Sequence, residues 1–130
     1  IDMPGKRTAK NIGVTLHNTD RISTAANTTP AEQYTRATVN GNMGTVRVHF
    51  YVDDVGAWQN LPIDYTSWHA GQKGKADAYG SAAGNMQTIS IECIMNGSGD
   101  EKDCKARDNA ARLTAYLLDT YGGDLYTHNY

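Results

Sequence analysis

The side chains of this sequence best suited to chemistry are four histidines and one strand-borne glutamate. They are His17 in IGVTLHNTD, His49 in VRVHFYVDD, His69 in SWHAG, His128 in THNY, and Glu92 in ISIECI. Imidazole ligates metals and moves protons near neutral pH. The four are too scattered for a local metal motif such as HExxH, and each taken singly reads equally as a surface or hydrogen-bonded core residue. Position separates His17 and His128 from the rest. His17 ends a run of alternating apolar residues, on its polar side, and His128 follows a long helical pattern closed by Gly122-Gly123. A helix packed on a sheet can return the chain to the strand edge, where the two imidazoles could meet. Zinc suits such a meeting, because a catalytic zinc takes three protein ligands, keeps one position for water and lowers that water's pKa toward about 7. Glu92, on the polar face of a neighbouring strand, would be the base that removes a proton from water and returns it to a departing amine. The plainer reading of Glu92 is an exposed strand residue.

Three period-two patterns must position these groups. In IGVTLHN, Ile12, Val14 and Leu16 share one face and Gly13, Thr15 and His17 the other. VRVHFYVDD sets Val46, Val48, Phe50 and Val52 inward against Arg47, His49, Tyr51 and Asp53. QTISIECI sets Ile89, Ile91 and Cys93 against Thr88, Ser90 and Glu92. The expected sheet has one apolar face and one polar face bearing His17, His49, Tyr51 and Glu92. TTPAEQYTRAT predicts a helix with Thr29 as N-cap, Pro30 first and Glu32 three residues after the cap. Residues 102–121 place Ala106, Ala110, Leu113 and Leu117 at helical spacing, a face suited to cover the apolar side of the sheet. DDVGAWQNLP reads as a turn at residues 53–56 and a short returning strand. Residues 71–85, GQKGKADAYGSAAGN, read as a long polar loop of the kind that is often functional. The fold class is α/β: one domain over residues 1–130, with a mixed central sheet flanked by helices.

Bulk properties narrow the partners. A chain of 130 residues suffices for one compact core. A formal net charge of -2 gives no basic footprint, so no nucleic-acid partner is expected. No apolar run approaches the roughly 20 residues that span a bilayer, so no membrane partner is expected either, and IDMPGKRTAK lacks the apolar core of a secretion signal. Cys93 and Cys104 fit two reduced thiols or one loop-closing disulfide.

In order and spacing, the blocks GVTLHNTD, VHFYVDD with AWQNLP, SWHAG, ISIECI, NAARLTAYLL and THNY resemble the type-2 N-acetylmuramoyl-L-alanine amidases. These are zinc-dependent enzymes that share a fold with peptidoglycan-recognition proteins and include many bacteriophage endolysins. The resemblance implies Zn2+ held by His17 and His128, with Glu92 as the catalytic base. It implies that His69 lines the cleft near the scissile bond, that His49 and Tyr51 shape its floor, and that Trp68 is either a core plug or a sugar platform. Asn18 and Thr19 would border the cleft by proximity. The implied activity is hydrolysis of the amide joining N-acetylmuramic acid to L-alanine in bacterial peptidoglycan. A non-catalytic peptidoglycan-binding module of the same fold is the alternative. The family's third ligand, Cys or Asp several residues past the second histidine, is expected beyond Tyr130, as is any cell-wall-binding module. The implied setting is a monomeric phage lysin released from the host cytoplasm to the wall at lysis, or else a secreted enzyme.

Overall fold

The computed structural model describes residues 5–22, 24–44, 46–70 and 84–128. Its elements run β1 (Gly13–Thr19), α1 (Pro30–Val39), β2 (Phe50–Val52), β3 (Ala57–Gln59), α2 (Gly84–Gln87), β4 (Thr88–Ile94), α3 (Glu101–Tyr121) and β5 (Asp124–His128). The strands form one sheet in the order β3-β2-β4-β1-β5. β2, β4, β1 and β5 pair in parallel and β3 returns antiparallel to β2, so the sheet is mixed. This is the α/β architecture expected from the alternation of strand and helix patterns.

α1 starts where its cap dictates. The Thr29 hydroxyl accepts from Glu32 N at 3.3 Å, satisfying one of the amides a helix leaves open at its start. Asp53 holds the same end from outside. Its Oδ2 accepts from Ala31 N at 2.9 Å, while its Oδ1 accepts from Val55 N and Gly56 N and forms the β2–β3 turn. One carboxylate therefore ties a helix start to a hairpin.

α3 covers one face of the sheet. Ala106, Ala110 and Leu117 pack with Val14, Phe50, Val52, Ile89, Ile91 and Cys93 in the main core, and Leu16, Leu113 and Leu118 close its margin. Both cysteines are free thiols, with Cys93 buried in this core and Cys104 exposed. α3 stops at Gly122, whose φ of 76° is a left-handed conformation that glycine adopts without cost. Gly13 enables the pairing that follows. Its φ is 150° and a Cβ there would collide with the Asp124 carbonyl oxygen, so only glycine lets β5 approach β1.

The other face departs from the sequence expectation. It is polar but buried: Thr15, His17, His49, Ser67, Thr88 and Ser90 are fully buried. α1 covers the β2 end, where Tyr51 packs with Ala31, Val48 and Ile94. The segment 65–70 and α2 lie over the middle, with Thr88 and His69 bonded to Gly84 O and Ser67 to Ser90. The second strand is also shorter than its alternation suggests. Val46 is exposed, and Val48 packs toward α1 rather than with Phe50 and Val52. The cause is His49. Its Nδ1 accepts the Ser90 amide at 3.0 Å, so a ring nitrogen takes the place of a ladder carbonyl and regular pairing begins at Phe50. Of the expected loop at 71–85, residues 71–83 lie outside the described residues, while Gly84 and Asn85 open α2.

Candidate active site

The register of the sheet sets the candidate residues in one row. Tyr51 of β2 pairs with Glu92 of β4, Glu92 with His17 of β1, and His17 with His128 of β5. Neighbouring strands lie about 4.8 Å apart, so residues far apart in sequence become immediate neighbours. The row lies toward the carboxyl ends of the parallel strands, where open α/β sheets place their ligands.

His17 is fully buried, and its Nε2 lies 2.7 Å from Nδ1 of His69. The rings meet edge to face, with centroids 4.9 Å apart and planes at 81°. His69 is itself buried, and its backbone is fixed by α2. Asn85 Oδ1 accepts from His69 N at 2.7 Å and from Ala70 N at 2.8 Å, while Asn85 O accepts from Ser67 N. His69, which the resemblance implies lines the cleft, is in contact with His17 in the fold. Asn85 was not singled out at all, because an amide within a Gly- and Ala-rich stretch gives no signal of a partner sixteen residues away.

Glu92 is half-buried, and its Oε2 has no hydrogen-bond partner among the described residues. Burial pushes its pKa up from 4.5 to about 8. A carboxylate so placed is ready to hold a proton near neutral pH. Among the described residues, no three His, Cys, Asp or Glu side chains converge to hold a metal.

A family model described as N-acetylmuramoyl-L-alanine amidase matches residues 8–130. The chain belongs to this amidase family. Among curated members it is 32% identical over 105 residues to the amidase XlyA and 34% identical over 105 residues to CwlH, both of Bacillus subtilis strain 168. Those alignments cover 81% of this chain but only 31% and 37% of the two relatives, so the chain spans about a third of their length. Among solved structures, PlyL superposes with a TM-score of 0.72 at 27% identity, covering 95% of this chain and 72% of that one. The XlyA catalytic domain superposes at 0.68 and 29%, covering 95% and 76%. Peptidoglycan-recognition protein PGRP-Hd of Alvinella pompejana, at 14% identity, covering 97% of this chain and 77% of that one with a TM-score of 0.64, shares the fold. Amidases of this family are generally zinc-dependent.

The remaining family-implied positions fall in three surroundings. Tyr51 is 1% exposed; it stacks under Tyr34 with centroids 5.2 Å apart and shares a 2.9 Å hydrogen bond with Thr38, and burial lifts its pKa to about 12. His49 has both ring nitrogens engaged, Nδ1 by Ser90 and Nε2 by Tyr65 O at 2.8 Å, and burial lowers its pKa to about 4. Both side chains, which the resemblance implies shape the cleft floor, are buried in the fold. Trp68 is half-buried, its backbone bridged to Arg47. Asn18 is exposed and, with Thr19, lines a hollow of about 390 Å³ shared with Asp20, Met95, Asn96 and Gly97.

Proposed function

We propose that this chain is the catalytic domain of a peptidoglycan hydrolase that cleaves the amide between the lactyl group of N-acetylmuramic acid and L-alanine of the stem peptide. The observation that carries the reading is the row of Glu92, His17 and His128 on adjacent strands. Two imidazole-bearing residues side by side, next to a half-buried carboxyl whose Oε2 has no partner among the described residues, are a donor set suited to zinc. His17 and His128 are the ligands we assign, with a third from outside the described residues. Zinc, when bound, supplies Lewis acidity that polarises the scissile carbonyl and acidifies water.

Glu92 does the proton work. It takes a proton from the attacking water, the water oxygen bonds to the lactyl carbonyl carbon, and the C–N bond breaks as Glu92 returns the proton to the L-alanine nitrogen. The products are a lactyl carboxylic acid on an intact glycan and a stem peptide with a free amine. A pKa close to the working pH suits a group that must both accept and donate within one turnover. Substrate contacts fall to Trp68 and Asn18 at the rim, since His49 and Tyr51 are enclosed. The partner is the bacterial cell wall, reached at host lysis as by an endolysin or after secretion.

The test is mass spectrometry of soluble products from purified Gram-positive peptidoglycan incubated with the chain and zinc. Stem peptides beginning with free L-alanine, without new reducing sugar ends, are the expected result. Wall binding without release would make the chain a recognition module, and new reducing ends would make it a glycosidase.

A further inference from the structure

The contact between His17 and His69 has a direction that the surrounding groups determine. His69 Nε2 faces Gly84 O at 3.2 Å and Thr88 Oγ1 at 3.4 Å. The carbonyl only accepts. Thr88 spends its one hydroxyl proton on the same carbonyl at 2.7 Å, so toward His69 it too only accepts. The proton of a neutral His69 therefore sits on Nε2, and its Nδ1 is an acceptor. The partner at 2.7 Å, His17 Nε2, must donate. A neutral His17 that donates from Nε2 carries its lone pair on Nδ1. The reverse arrangement would set a bare His69 Nε2 against two acceptors.

From this we infer that His69 is a positioning residue for the metal ligand: it accepts the Nε2–H of His17 and holds that ring in the orientation and tautomer in which Nδ1 can bind zinc. The inference rests on the reading of His17 as a ligand. His69 is well placed for the task, because Asn85 pins its backbone amide and that of Ala70, and Gly84 and Thr88 fix the far side of its ring. A metal-bound histidine commonly hands its second N–H to such an acceptor, and losing the acceptor typically costs about 10–100-fold in metal affinity.

Zinc affinity measured by competition with a chromophoric chelator tests this without reference to turnover. His69→Leu keeps the bulk and removes the acceptor, and a loss of about 10–100-fold is expected. His69→Asn sets an amide oxygen where Nδ1 lay, and binding within about threefold of wild type is expected from the restored acceptor. His17→Ala should abolish the site. If His17→Ala loses zinc while His69→Leu binds as wild type, the positioning role is overturned and the ligand reading stands. If His17→Ala binds zinc undiminished, the ligand reading falls and the inference with it. A measurement on the unmutated chain is independent of how the variants fold. Nitrogen-15 spectra of the metal-free protein should show His17 protonated at Nε2, and protonation at Nδ1 instead would overturn the assignment.

Discussion

Acidification should weaken this fold through His49, by an amount set by one ring nitrogen. His49 is enclosed, and the Nδ1 that would take up a proton already accepts the Ser90 amide at 3.0 Å. Its pKa falls from 6.5 to about 4, with burial as the leading cause. The depressed value means that stability is complete above pH 6.5 and is lost as pH falls toward 4, because the unfolded chain takes up the proton first. Between pH 6.5 and 4 the loss is about 3 kcal/mol, at about 1.4 kcal/mol per unit. Glu92 works against it. Its raised value makes the folded state the better proton binder between 4.5 and about 8, so its contribution grows as pH falls through that window. Wild-type stability alone would thus conceal both slopes where the windows overlap. His49→Asn keeps an acceptor for the Ser90 amide and does not titrate. Urea midpoints for the two proteins, both metal-free in chelator, should give a stability difference that changes by about 3 kcal/mol between pH 4 and 7, the wild type losing more on acidification. A difference constant across that range would refute the burial argument for His49.

Glu92→Gln should leave zinc content unchanged and lower the release of stem peptides by about 10²- to 10⁴-fold, the usual worth of a positioned proton-transfer group; wild-type release would remove Glu92 from the reaction. Thr29→Ala removes the cap of α1 and should cost about 1 kcal/mol in chemical denaturation without altering zinc affinity, since α1 packs at the Tyr51 end of the row. Gly13→Ala forces a Cβ onto the Asp124 carbonyl and should unpair β5, seen as faster hydrogen exchange at 124–128 together with weaker zinc binding. Unchanged protection there would show that the strands can separate and still pair.

Legibility in the sequence followed the range of the physics. α1 was written in four consecutive residues, because Thr29 caps by reaching three positions ahead. β4 was legible because alternation is local, and Ile89, Ile91 and Cys93 do face α3. The hairpin at Asp53 was equally local. The second strand misled because His49 turns its ring into the ladder, an event that depends on Ser90 forty-one residues away. β5, DLYTH, offers too few apolar residues for a pattern, and its pairing with β1 depends on Gly13, more than a hundred positions earlier. Residue identity made His17, Glu92 and His128 candidates; only the register made them neighbours. The contact of His69 with His17 has no local signature at all.

The strand order has a consequence for biosynthesis. β1, which a ribosome extrudes before β2 and β3, lies between β4 and β5, which it extrudes after them. Until residue 88 is made, β1 has neither of its sheet neighbours, and until residue 124 it still lacks one. Non-local parallel pairing of this kind forms slowly and leaves strand edges open meanwhile. His17 is therefore made 75 residues before Glu92 and 111 residues before His128, the two residues that flank it in the sheet. The row of Glu92, His17 and His128 is therefore complete only once β5 has docked beside β1.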